Sequence, residues 1–390
     1  MPKRHLLRFT LLALAFFLVA AQGACPGLDP IAFMELRAVG LDNYIGQFQP
    51  AYSEDAGNGW TRHVFDADEG DGPLCIDGSD FIVYTRPGSH PDQVAIFLDG
   101  GGACWQNFYF CSEQSDAEAP PDVGIFADGF DTGTEYIYNP LKKFSIVAAS
   151  YCDGSVWIGD NAVDDPNYPS NPVRHHRGLR NLTAALDLAK DEFGIPDKLL
   201  IAGASAGGVG AAGLAPSLAR LVWGNFPHLF VFNDAGPIAS NVSTLPPVQA
   251  AIQARADDWD FERYYPPSCT ECSAFNQGTE IVKWRLGRDT RLLEAFYSTD
   301  GDATNRFFLA IPNQSIYRFL ITGVHGEVNA IFPETYKTFI RSGDDSHTAL
   351  ATPLFYTATA NGVPLHQWTT DFIKAQPGWV NIVEDFVPVP

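Results

Sequence analysis

Residues 198–214, KLLIAGASAGGVGAAGL, decide the fold. After Lys198 the chain is apolar through Ala202, which reads as a short buried strand. Gly203-Ala204-Ser205-Ala206-Gly207 then fits the pattern G-x-S-x-G, and residues 206–221 are Ala- and Leu-rich, which predicts a helix with a glycine-rich start. A strand that runs straight into a serine and a helix that leaves it straight away demand a sharp turn. Such a turn pushes the Ser205 hydroxyl out past the sheet, and glycines two residues to either side let a neighbouring strand and the helix come close. The helix start also favours negative charge developing nearby. Five small residues recur by chance, and a tight turn with an inert serine has the same composition. The flanking strand and helix give the motif its meaning here.

Outward from this turn the chain alternates. Residues 93–98 (QVAIFL) and 144–149 (FSIVAA) read as buried strands. Residues 178–193 have helical spacing, with Leu179, Leu182, Leu186 and Ala189 on one face, and Gly194-Ile195-Pro196 ends that helix. Residues 228–232 (HLFVF) and 292–297 (LLEAFY) predict two more strands. Strands alternating with helices imply an α/β architecture, a mostly parallel central sheet with helices on both faces. Residues 240–290 lack a regular pattern and are expected to form an irregular helical insertion over the site. Residues 113–122 and 160–172 are polar and Pro-rich and read as surface loops. With no internal repeat and no linker, residues 25–390 read as one domain.

At 46% apolar content the chain can bury a large core, so disorder is not expected. Its formal charge of −21 repels phosphate backbones and argues against nucleic-acid binding. Lys3, Arg4 and Arg8 precede an apolar run over residues 9–20, and small residues follow at Ala20, Ala21, Gly23 and Ala24. That run is too short to span a bilayer, which takes about 20 residues; it reads as an export signal over residues 1–24. The mature chain is therefore expected outside the cytosol, secreted or periplasmic. Cys25 just after the signal leaves lipid anchoring as an alternative, although Gln22 stands where an aliphatic residue is usual. Seven cysteines in an exported chain suggest disulfides, with Cys269-x-x-Cys272 a local bridge and Cys25 the odd one out.

A second glycine run, Asp99-Gly100-Gly101-Gly102-Ala103-Cys104, follows the strand at 93–98. No Gly-Lys-Ser/Thr follows it, so it is not a phosphate loop. A loop after an early strand can supply one backbone N–H to an oxyanion, and the residue after the serine another. The expected donors are Gly101, Gly102 and Ala206. A serine nucleophile also needs an acid and then a histidine downstream. The strand at 292–297 opens into Ser298-Thr299-Asp300-Gly301-Asp302, two carboxylates past a strand end. Farther on, Ser342-Gly343-Asp344-Asp345-Ser346-His347 is a polar loop after an apolar run, which suits the base. His325 in Gly-Val-His-Gly is its competitor, and His366 lies too near the C-terminus.

These segments together resemble the pectin acetylesterase and Notum family of carboxylesterases. The segments that carry the likeness are Leu98-Asp99-Gly100-Gly101-Gly102-Ala103-Cys104, Gly203-Ala204-Ser205-Ala206-Gly207-Gly208, Cys75-Ile76-Asp77-Gly78-Ser79, the run Tyr151-Cys152 through Trp157-Ile158-Gly159, and Arg177-Gly178. The likeness spans roughly residues 60–355 and is densest before 210. It implies an α/β-hydrolase-like fold, ester hydrolysis on a carbohydrate or lipidated protein, bridges Cys75–Cys152 and Cys104–Cys111, and the set Ser205, Asp302 and His347, with Asp302 chosen over Asp300. Ala103 and Asp99 depart from the family's Trp and Glu, and the insertion aligns with nothing in it. The chemistry calls for no metal and no organic cofactor. The expected partner is an ester, such as an acylated carbohydrate. The rival readings are a lipase, thioesterase or peptidase on the same fold, and an inactive glycan-binding surface protein.

Overall fold

The computed structural model describes residues 27–67, 70–238 and 245–389. The expected export signal over residues 1–24 and Cys25 lie outside the described residues.

The centre is a ten-stranded sheet. Its strands are β1 (Tyr52–Gly57), β2 (Trp60–Phe65), β3 (Phe81–Arg86), β4 (His90–Leu98), β5 (Phe144–Ala149), β6 (Lys198–Ala204), β7 (His228–Asp234), β8 (Leu292–Thr299), β9 (Tyr336–Arg341) and β10 (Ile382–Val383). Their spatial order is β1-β2-β3-β5-β4-β6-β7-β8-β9-β10. The first three strands are antiparallel to their neighbours, and every pair from β5 to β10 is parallel. Parallel neighbours need long crossovers, and helices supply them. Within the main run these are α1 (Gly178–Phe193), α2 (Ala206–Ala212), α3 (Ala215–Trp223), α4 (Pro246–Trp259), α5 (Thr279–Leu286), α6 (Ala303–Phe308), α7 (Gln314–Ile331) and α8 (Leu365–Ile373).

The pleat divides the core in two. Val94, Ile96, Leu98, Leu199, Ile201 and Val231 pack on one face with α1, α3, α4, α5 and α7. Ala95, Phe97, Leu200, Ala202, Phe230 and Phe232 pack on the other with α8, whose Trp368 and Phe372 meet Phe232 edge-on. Successive residues of one strand thus feed opposite cores, so β4 and β6 read as unbroken apolar runs rather than alternating ones.

The expected α/β architecture, with its mostly parallel sheet covered on both faces, is what the chain adopts. Two expectations fail locally. The helix expected over 206–221 is broken: α2 ends at Gly213, and α3 begins with Pro216 in its first turn. Proline lacks the N–H that would continue α2 and clashes with the preceding turn. The carbonyls left open there are taken by Arg285, whose guanidinium donates to Ala212 O and Gly213 O and pairs with Glu294. The loop expected over 160–172 is also partly structured. Asn161–Asp164 pairs with Val173–His176, and Asp160 and Asp165 are buried because arginines reach them. Disulfides join Cys75 to Cys152, Cys104 to Cys111 and Cys269 to Cys272. Among the described residues, no helix is long and apolar enough to cross a membrane.

Candidate active site

Ser205 sits between β6 and α2 with φ 55° and ψ −117°, left-handed backbone that a non-glycine residue adopts only under constraint. The constraint is visible. A Cβ on Gly207 would lie 1.9 Å from the Leu98 carbonyl oxygen, so α2 packs directly on the end of β4. A Cβ on Gly100 would lie 2.8 Å from the Ser205 Cβ, which brings the second glycine run against the serine. Ser205, Ala206 and Gly102 line one cavity. Ala206 is the first residue of α2, so its N–H has no intrahelical acceptor. Gly101 does not line the cavity; its carbonyl accepts from the Ser112 N–H.

The downstream loops leave the same end of the parallel strands. His347 Nδ1 lies 2.7 Å from Asp302 Oδ2, and Asp302 Oδ1 caps α6 by accepting the Asn305 N–H at 2.8 Å. Asp302 is wholly buried. Asp300, the alternative acid, faces elsewhere: it pairs with Arg318 at 2.6 Å and accepts from Ser342 Oγ and Gln314 Nε2. His325, the alternative base, is buried on α7. It stacks on Phe296 at 3.5 Å, and its Nδ1 meets the Tyr336 hydroxyl at 2.6 Å. Burial drives its pKa down to about 3 and keeps it neutral. His366 lies on α8, on the far side of the sheet from α1 and α3.

One residue absent from the sequence reading ties these parts together. Asp234 ends β7, and its carbonyl accepts the Ser205 N–H at 2.8 Å. Its carboxylate accepts the N–H groups of Ala349, at 2.9 Å, and of Leu350, at 2.7 Å. A single side chain thus holds the His347 loop to the strand beside the serine. Burial pushes the Asp234 carboxyl up to about 7, against the pull of those two N–H groups. The signal in the sequence was an acid closing an apolar strand, HLFVFND. Asn305 was also missed. It lines the cavity with Ser205, and its Nδ2 donates to Ala235 O and to the Tyr317 hydroxyl.

A strained serine on a strand-to-helix turn, with free N–H groups at the turn and a His–Asp pair on a loop tied to the neighbouring strand, suits acyl transfer. Residues 60–237 match the pectinacetylesterase family model. The match spans less than half of the chain and supports an assignment to a pectinacetylesterase-like family. The matched region carries Ser205, both glycine runs and two of the three disulfides, and it stops at Pro237, itself in the cavity wall. A search of curated proteins finds no match to the chain. This likeness supports an acetylesterase-type hydrolase acting on an ester.

His347 Nε2 is shielded from solvent and makes no hydrogen bond among the described residues. In hydrolases of this kind the bond from base to nucleophile often tightens only when substrate is in place.

Proposed function

We propose that the chain is an exported serine carboxylic-ester hydrolase that removes acyl groups from a polysaccharide or related alcohol through an acyl-enzyme. His347 Nδ1–H donates to Asp302, which leaves Nε2 as the base. Nε2 takes the Ser205 proton as Oγ attacks the ester carbonyl. The N–H groups of Ala206 and Gly102 hold the oxyanion. His347 then gives its proton to the leaving alcohol, and water repeats the sequence to free the acid. Residues 1–24 act as the export signal, and the remainder works as one hydrolase domain. Three disulfides suit an oxidising compartment.

The observation that carries this reading is the pairing of a left-handed Ser205 with a His347–Asp302 pair held to the same strand end by Asp234. The test is labelling by a fluorophosphonate probe, followed by mass spectrometry of the modified peptide. Covalent attachment at Ser205, lost with cleavage of p-nitrophenyl esters in Ser205→Ala, is expected. An unlabelled Ser205 in folded protein returns the choice to a glycan-binding surface protein.

A further inference from the structure

The cavity beside Ser205 holds one charged group that ester hydrolysis does not use. Arg255, on α4, lines it together with Ser205. Its guanidinium stands over the Trp105 ring, 5.4 Å from the centroid, and has no hydrogen bond or ion pair among the described residues. The wholly buried arginines are treated differently. Arg174 meets Asp165 and Asp258, Arg220 meets Asp289, and Arg285 meets Glu294. The acids nearest Arg255 in sequence are already engaged. Asp258, one turn along α4, accepts from Arg174 and from the Gln106 N–H, and Asp257 accepts from Gln253. Residues 239–244, which follow the wall residue Ile238, include no Asp or Glu. Burial lowers the Arg255 pKa to about 10, so it stays cationic at neutral pH. A ring face replaces only part of the hydration that a buried cation gives up.

The rest of the cavity is mostly apolar, with Val156, Ile238, Ile252, Trp259, Phe308 and Leu309 in its walls, and Asn305, Tyr265 and Ser273 are its other polar side chains. Its volume is about 130 Å³. An engineered apolar cavity of about 150 Å³ accepts benzene, so this one suits a group of about six carbons. It is too roomy for an acetyl methyl alone and too small for a sugar chain. The group that enters is therefore the acyl part of the ester.

We propose that Arg255 is the counter-ion for a carboxylate on the acyl group, and that the preferred substrates are hemiesters of short dicarboxylic acids. This rests on the ester-hydrolase reading of Ser205. In the reaction Ser205 Oγ displaces the alcohol, and water then releases the free dicarboxylate. The Arg255 contact is kept throughout, so it selects the substrate without entering the bond changes.

The test compares the p-nitrophenyl hemiester of glutaric acid with p-nitrophenyl 5-methylhexanoate, its uncharged isostere. The wild-type enzyme is expected to prefer the hemiester. Arg255→Met should lower kcat/KM for the hemiester by about 100-fold and leave the neutral ester within about threefold, while Arg255→Lys keeps part of the preference. An equal fall on both esters, or no preference in the wild type, overturns the proposal and leaves the hydrolase reading intact. Calorimetry of monomethyl glutarate on Ser205→Ala needs no turnover. Binding there that is lost in Ser205→Ala/Arg255→Met supports the carboxylate site even if no ester is cleaved, a result that would sink the hydrolase reading alone. Arg255-dependent binding of a uronic acid, with no binding of monomethyl glutarate, overturns the assignment to the acyl side.

Discussion

The cavity has two walls of different construction. One is backbone: Gly102, Ser205 and Ala206, set where β4, β6 and α2 come so close that a single Cβ at Gly207 or Gly100 would strike a neighbour. The other is side chain: Ile252, Arg255 and Trp259 from α4, and Ile281 from α5. The family match covers the first wall and ends at Pro237, before α4 begins. In the proposed reaction the backbone wall fixes where charge is stabilised, and the side-chain wall fixes which acyl group fits beside it. Substitutions at the first should therefore act nearly all-or-none, and at the second by degrees.

The largest effect is expected where the first wall meets its proton relay. Asp302→Asn keeps the shape of the carboxylate but cannot hold the His347 tautomer, and kcat should fall by about 10⁴-fold. Asp300→Asn should leave kcat within a few-fold. It removes the charge that Arg318 and Ser342 bind, so its loss appears in urea unfolding instead. Equal losses of kcat in the two variants would break the assignment of Asp302. The pH profiles of both should be measured on one neutral ester.

Gly207→Ala is the next largest and probes the first wall directly. The new methyl would lie 1.9 Å from the Leu98 carbonyl oxygen, with no flexible side chain to yield. Either α2 or β4 must move. We expect a loss of about 3 kcal/mol in unfolding free energy, at the top of the usual range for one inserted methyl, and a fall in kcat as Ser205 shifts. Unchanged stability would mean that the close approach is softer than its backbone contacts require.

Much of the first wall was legible in the sequence, and the reason is physical. A turn this tight admits only small residues, so Gly203, Gly207 and the run at residues 100–102 stand out against their apolar strands. The order of loops past strand ends pointed to the Asp300/Asp302 and His347 loops, and only the family resemblance chose Asp302 over Asp300. Asp234 was not legible, because a carboxylate that binds backbone N–H groups leaves no complementary residue type to find. The broken helix at Gly213 was missed because an Ala-rich run outweighs one proline when periodicity alone is counted. The second wall was least legible. Residues 246–286 pack as helices against the cavity and not as a strand or turn of fixed pattern, so their composition shows neither the direction of Ile252 nor the isolation of Arg255.

The smallest effect probes the second wall. Ile252 is buried on α4 and lines the cavity. Ile252→Phe adds bulk inside a space of about 130 Å³ and leaves Ser205, Gly102 and Ala206 unsubstituted. An acetyl ester, which needs little of that space, should be cleaved at nearly the wild-type rate. A hexanoyl ester, which needs most of it, should lose about tenfold in kcat/KM, the scale on which hydrophobic pockets discriminate one or two methylenes. The ratio of the two esters is the quantity to follow, because a general disturbance of the fold would lower both together. A ratio that stays constant while both rates fall would show that α4 supports the first wall as well, and that the division between backbone chemistry and side-chain selection does not hold at this position.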